Sequence, residues 1–413
     1  MRILILGAGP AGISVAEHMR ALENETGSRH DISMVSAEPF PPYSPPAMAD
    51  HFLTGREASL YWKGKDVCNR LEIDYYSGRV ACAVDPVRHD VTFDDASTLH
   101  YDKLVIATGS HLYAPIEGCD LPGIYNFKSL SAAQQLINHA RKGEIRKAVI
   151  VGAGFIGVEV ALLLADLALD VTVVEQRDRV MPRMLDVETA GIVADALRER
   201  GVTLMSDTEA SAFLGSGEAE AVELANGAII TADACIAATG VKPNLACLKG
   251  AGLESDWGIS VDQRLRTSVP NVWAAGDVAE TIDRMNGDRF VHAIFPNAVA
   301  QGRIVAEQLL GFDTIYEGSE SMNSLRHLGL PVIAAGQLTG DAELVMRRGK
   351  NLRKIVLEDG RIVGFQLAGD MQGAGVYRSL MLRSVDVGRL GARLLDAGYV
   401  IATQASQPQA LAA

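Results

Sequence analysis

Two short glycine-bearing stretches carry the clearest chemistry in this sequence. The first is MRILILGAGPAG, where Gly7, Gly9 and Gly12 give the spacing G-x-G-x-x-G directly after the apolar residues 3–6, with Pro10 and Ala11 between the last two glycines. After a buried strand and at the start of a helix, this spacing makes room for a pyrophosphate. The first glycine permits the tight turn, the second lets the phosphates approach the backbone, and the third lets helix and strand pack closely. The helix N-terminus adds unpaired N–H groups and the positive end of its dipole. The second stretch, VIVGAGFIG, repeats the arrangement with Gly152, Gly154 and Gly157 around Phe155 and Ile156. One such motif is a weak sign. Two, each in a strand–turn–helix context, point to two dinucleotides on one chain.

Three carboxylates stand where such sites need them. Glu175 ends the strand VTVVE, 18 residues after Gly157. A carboxylate there accepts a ribose 2′-hydroxyl and repels a 2′-phosphate, which favours NAD(H) over NADP(H), with Arg177 close by as the counter-indication. Glu38 closes the second strand, DISMVSAEP, 26 residues after Gly12, and is the counterpart for an adenosine ribose. A longer helix and turn absorb the extra residues, and a plain loop carboxylate is the alternative. Asp277 follows Gly276 at the end of a short apolar strand in TSVPNVWAAGDVAE. It can meet a polyol chain, or serve as a helix N-cap. The tripeptide AlaThrGly also occurs twice, at Ala107-Thr108-Gly109 and Ala238-Thr239-Gly240, each time closing an apolar strand. Pro296 and Asn297 open a helix in FPNAVAQGRIVAEQLLG, with proline at a permitted early position.

The remaining elements position these residues. A helix is expected from Gly12 to about residue 25. The loop PFPPYSPPAMADHFLTG is held non-helical by its prolines until a helix begins near Pro46. Residues 67–95 read as β-rich. From residue 318 onward two apolar β stretches surround the basic stretch Arg347 to Lys354, with Asp359-Gly360 as a hairpin turn. A helical segment is expected at 376–395 and a disordered tail at 402–413.

Composition bounds the class. The chain has 413 residues, 48% of them hydrophobic, so two or three globular domains are expected. The net charge of −13 argues against a nucleic-acid surface. Residues 318–413 are an exception, with 11 Lys and Arg against 8 Asp and Glu, and could face an acidic partner or simply solvent. The five cysteines form no metal-binding or redox pair by spacing, and read as reduced thiols of a cytoplasmic protein. No apolar run is long enough for a transmembrane helix. The first strand begins at once, so that removing a signal peptide would destroy the fold and none is expected. None of the nine histidines pairs with another at metal spacing, and His51 and His292, near the motifs, read as structural.

In order, these motifs resemble the pyridine nucleotide–disulfide oxidoreductases, flavoproteins with two dinucleotide-binding domains. The resemblance spans nearly the whole chain. It implies an α/β fold with two Rossmann-like domains, one for FAD and one for NAD(H), and a C-terminal α+β domain. The boundaries implied are an FAD domain in two segments, 1–117 and 243–317, an NAD domain at 118–242, and a C-terminal interface domain at 318–401. It implies that Asp277 holds the flavin ribityl chain and that the helix from Asn297 points its N-terminus at the flavin. Glu159, two residues past Gly157, would orient the nicotinamide carboxamide, with a helix-surface carboxylate as the alternative. Many family members carry a redox cysteine in the loop after the second strand. Here that loop reads PPYSPPAMADH, without cysteine, and is similar to that of NADH-dependent rubredoxin and ferredoxin reductases. Those often carry arginine where Pro45 stands. The activity implied is electron transfer between NAD(H) and an iron–sulfur protein or subunit, without a redox disulfide. The C-terminal layout resembles the flavoprotein subunit of NAD-linked phenylglyoxylate dehydrogenase, in which the chain would belong to an oligomer or larger complex. A free-standing NADH oxidase and a non-catalytic flavin-binding redox sensor are the alternatives.

Overall fold

The structure is a computed structural model and describes residues 1–326 and 329–406. The chain forms two compact units. The first comprises Met1–Tyr113, Lys128–Ala133 and Val241–Ser319; the second comprises Ala114–Phe127, Gln134–Gly240 and the described residues from Glu320 on. Most of the segments expected at 118–242 and 318–401 therefore fall in one unit, while residues 128–133 join the first.

The first unit is built on a parallel sheet of five strands. Their order is Val272–Ala274, Lys103–Ile106, Arg2–Leu6, Asp31–Ser36 and Asp74–Ser77. Ile3, Leu4, Ile5 and Leu6 are buried, as a strand flanked by parallel partners and covered on both faces requires. Ile3 lies opposite Ile32 on one side and Lys103 on the other, so the first glycine turn and the first AlaThrGly emerge side by side. The helix Pro10–Thr26 leads from this turn to the second strand, and Gly27 ends it in the left-handed conformation. The proline loop forms a short 3-10 turn, Pro45–Ala47, before the helix Met48–Thr54. The β-rich stretch begins later than its composition suggests, because Val67–Arg70 forms a helical turn.

The second unit repeats the plan. Its parallel sheet runs Thr203–Met205, Asp170–Val174, Lys147–Val151, Ala234–Ala237 and Ile124–Tyr125. The same unit holds an antiparallel sheet ordered Met322–Leu325, Val332–Gly336, Arg361–Ala368, Asn351–Glu358 and Ala342–Arg348. Glu358 pairs with Arg361 across the two-residue turn Asp359-Gly360, as the turn residues indicated. The helical segment expected at 376–395 is broken. An α-helix spans Ala374–Leu382, and a 3-10 stretch spans Gly388–Leu395 with non-helical geometry at Gly391. Glycines at 388 and 391 remove the bias toward a continuous helix. The helix Ala397–Ser406 enters the stretch expected as a tail, whose residues 407–413 lie outside the described residues.

Candidate dinucleotide sites

The first glycine turn is shaped by close contacts on two sides and openness on the third. Gly7 has φ +114°, and a Cβ there would lie 2.0 Å from the Ala107 carbonyl oxygen. A Cβ on Gly12 would lie 2.0 Å from the Gly7 carbonyl oxygen. A Cβ on Gly9 would meet nothing within 4 Å. Gly9 is also the N-cap of the helix Pro10–Thr26, which has no side-chain cap and no acidic residue in its first turn. A turn closed on both flanks and open at its apex, with uncapped N–H groups, fits an anionic pyrophosphate. The Ala11 side chain is buried. A Cβ on Gly276 would lie 3.1 Å from its side chain, and a Cβ on Gly302 would lie 2.4 Å from its carbonyl oxygen. The helix Phe295–Leu309 thereby crosses the first helix at Gly302. Its own N-terminus, with Pro296 exposed and Asn297 buried, has no side-chain cap and no acidic residue in the first turn.

The carboxylates of the first unit have partners that no local pattern revealed. Asp277 accepts hydrogen bonds on one oxygen from Ser110 Oγ at 2.8 Å and Lys128 Nζ at 2.7 Å. Glu38 accepts from Tyr43 OH at 2.6 Å through Oε2, and from the Ser131 amide and hydroxyl at 2.9 and 2.8 Å through Oε1. Tyr43 OH in turn accepts from the Leu130 amide at 3.0 Å. Burial and the neighbouring Glu38 charge hold the Tyr43 phenol protonated, well above its ordinary value. One six-residue segment, Lys128–Ala133, thus reaches both expected FAD-site carboxylates. The first AlaThrGly is fixed by Asn244, whose side-chain amide donates to the Thr108 carbonyl at 2.8 Å and whose backbone amide donates to the Gly109 carbonyl at 3.0 Å. Pro45 begins its 3-10 turn at the end of the proline loop.

The second turn has the same form. Gly152 has φ +103°, and a Cβ there would lie 2.6 Å from the Ala238 carbonyl oxygen. A Cβ on Gly157 would lie 2.0 Å from the Gly152 carbonyl oxygen, while one on Gly154 would meet nothing within 4 Å. Gly154 caps the helix Phe155–Asp166 without a side-chain bond, with Phe155 and Ile156 half-buried in its first turn. Gly240, after the second AlaThrGly, also has open space where a Cβ would stand. Glu175 is buried, and its carboxylate accepts from the Ala153 amide at 2.8 Å and the Arg177 amide at 2.9 Å. It therefore pins the glycine turn to the strand beside it. Glu159 lies on the same helix, and burial raises its carboxyl pKa to about 8.

All five cysteines are free thiols. Burial raises Cys68 and Cys235 to about 11 and also raises Cys247, so these three thiols resist ionisation at neutral pH. His292 is held by Asp283 at 2.8 Å. Among the described residues, no three His, Cys, Asp or Glu side chains are grouped to hold a metal, and no helix is long and apolar enough to cross a membrane. The basic stretch is largely paired within its own unit. Arg347 meets Glu188, Lys350 meets Glu199, Arg353 meets Asp370, and Lys354 meets Asp186 and Glu343.

Several known proteins are similar in sequence to this chain. The chain is 30% identical over 398 residues to the assimilatory nitrate reductase electron transfer subunit of Bacillus subtilis, covering 94% of this chain and 50% of that one. It thus spans only half of that relative's length. It is 28% identical to the NADH-dependent phenylglyoxylate dehydrogenase subunit epsilon of Aromatoleum evansii, over 95% of this chain and 94% of that one. It is 30% identical to the ferredoxin–NAD(+) reductase subunit of a benzene 1,2-dioxygenase system of Pseudomonas putida, over 87% of both chains. Among solved structures, a NAD-dependent persulfide reductase from A. fulgidus superposes with a TM-score of 0.83 at 27% identity, over 95% of this chain and 77% of that one. Residues 1–302 match the family model described as pyridine nucleotide-disulphide oxidoreductase, and the chain belongs to that family.

Proposed function

We propose that the protein is an FAD-dependent oxidoreductase that passes electrons between NAD(H) and an iron–sulfur protein or subunit. The observation that carries this is the pair of glycine turns of one form, each closed on its flanks and open at its apex, the first beside Asp277 and the second beside Glu175. Bound FAD supplies the interconversion of two-electron exchange with NAD(H) and one-electron transfer to a metal centre. The chain's own residues bind and orient. The uncapped helix N-termini at Gly9 and Ile294 favour negative charge on the FAD side, and the one at Gly154 does so on the NAD side. Asp277 offers its carboxylate to the ribityl hydroxyls, with Lys128 compensating its charge near an anionic cofactor. Glu175 receives the NAD ribose and disfavours a 2′-phosphate. Glu159 keeps its proton up to about pH 8 and can therefore donate a hydrogen bond to the nicotinamide carboxamide.

The absence of cysteine from the loop 41–51 supports an external acceptor rather than a protein thiol. The full-length match to the phenylglyoxylate dehydrogenase subunit supports a place in a larger complex that reduces NAD⁺, and free thiols suit the cytoplasm. The test begins anaerobically, and each acceptor, dioxygen included, is then added separately. NADH should bleach the flavin bands of the purified protein, and ferredoxin or rubredoxin should restore them faster than dioxygen does. Fast dioxygen consumption with no response to iron–sulfur acceptors would replace this reading with an NADH oxidase. Flavin that NADH never bleaches would overturn it.

A further inference from the structure

We propose that Gln301 is a positioning residue for Asp277, acting through the Gly276 amide and itself supported at its far end by Ser319; this rests on the reading of the first unit as the FAD site. Gln301 is 1% exposed on the helix Phe295–Leu309, one residue before the crossing at Gly302. Its side-chain Oε1 accepts the Gly276 N–H at 2.7 Å. Gly276 has no side chain, so its backbone is the only handle by which the turn preceding Asp277 can be held from this side. The other end of the Gln301 amide donates to Ser319 Oγ at 3.4 Å. That hydroxyl is shared with Thr281 Oγ1 at 2.7 Å and Tyr316 OH at 3.0 Å.

Ser319 is fully buried and fixed by its backbone, donating to the Ile282 carbonyl at 2.8 Å and accepting from the Arg284 amide at 2.9 Å. The Gly276 N–H can only donate and so sets which way the Gln301 amide faces, and the hydroxyl cluster receives its other end. An amide suits this place because it presents an acceptor to Gly276 and a donor to the cluster at once. Asp277 is then clamped from two directions. Ser110 and Lys128 hold its carboxylate, and Gln301 holds the backbone behind it. Bonded supports of this kind on both sides fix a carboxylate before its ligand arrives.

The experiment uses the full chain and compares Gln301→Leu, Ser319→Ala, Asp277→Asn and the Gln301→Leu/Asp277→Asn double variant. The measurements are the FAD dissociation constant, the shape of the bound-flavin absorbance bands and the flavin midpoint potential. Gln301→Leu should weaken FAD binding about 10-fold and alter band shape and potential in the same direction as Asp277→Asn. Ser319→Ala should do the same more weakly, and it serves if Gln301→Leu fails to fold. The double variant should bind FAD within about 3-fold of Asp277→Asn alone, because both changes remove one function. The proposal is overturned if the losses multiply in the double variant. It is equally overturned if Gln301→Leu and Ser319→Ala lower only the unfolding midpoint and leave affinity, bands and potential unchanged. A wild-type chain that takes up no FAD would instead overturn the underlying reading, and the proposal with it.

Discussion

Glu38 and Glu175 follow corresponding strands in the two units, Asp31–Ser36 and Asp170–Val174, yet the fold employs them differently. Glu175 spends its oxygens on two backbone amides, one of them in the glycine turn itself. Glutamine there would have to turn its NH₂ toward one of those donors. We expect Glu175→Gln to raise the NADH dissociation constant about 10-fold and to narrow the preference over NADPH, as read by titration with both nucleotides. Glu38 is saturated on Oε1 and keeps one acceptor position on Oε2, so it can serve a ribose only while it also holds the segment 128–133. Glu159 differs again. Its pKa rises from 4.5 in the free side chain to about 8 in the folded chain, so the folded chain holds this proton more tightly than the unfolded chain does. Stability from this group therefore falls as pH rises from 4.5 toward 8 and levels above that, at about 1.4 kcal/mol per pH unit in between. Glu159→Gln does not titrate. Its unfolding midpoint should gain on the wild type between pH 6 and 8 and gain no more from 8.5 to 9.5. A constant difference across that range would contradict the burial of an ionisable Glu159.

At the scale of elements, the three glycines of each turn separate into two kinds. Gly9→Ala and Gly154→Ala place a methyl group in open space. They should fold with a loss of at most about 1 kcal/mol while weakening FAD and NADH binding respectively, by thermal melts and ligand titration. Gly12→Ala and Gly157→Ala drive a methyl group into a carbonyl and should lower the unfolding midpoint or prevent folding. Gly302→Ala should behave as they do, because the first helix stands 2.4 Å from the added atom. The turns were legible because their information is local: an apolar run, then a fixed glycine spacing. The same locality explains the strands, the opening of the helix at Phe295 and the hairpin at Asp359-Gly360. It also explains what stayed hidden. Lys128 is 149 residues from Asp277, and Tyr43 is 87 from Leu130, so nothing near either residue announced its partner. Asn244 follows the second AlaThrGly by a few residues yet braces the first, a crossing that only the paired strands Ser110–Leu112 and Val241–Pro243 explain. Gln301 belongs to no motif, and its partner Gly276 lies 25 residues away.

At the scale of the whole molecule, the charge imbalance noted in residues 318–413 is mostly answered from within. Because Arg347 and Lys350 already face Glu188 and Glu199, the double variant Arg347→Gln/Lys350→Gln should leave the rate of iron–sulfur acceptor reduction within about twofold of wild type. A steep loss that grows at low salt would instead mark the stretch as a docking surface. Saturating FAD should raise the unfolding midpoint of flavin-stripped protein, since a ligand held only by the folded chain stabilises it by mass action. The discontinuity of the first unit also sets an order of events during synthesis. Its central sheet draws on Met1–Tyr113, yet the strand Val272–Ala274 and the turn bearing Asp277 arrive only after residues 114–271 have left the ribosome. At about 5–20 residues per second that interval lasts roughly 8–32 s. Throughout it the strand Lys103–Ile106 has a bare edge of the kind that invites mispairing. A nascent chain halted at residue 240 should take up no flavin and should need chaperone protection, whereas one carried past Ser319 has every strand the cofactor requires.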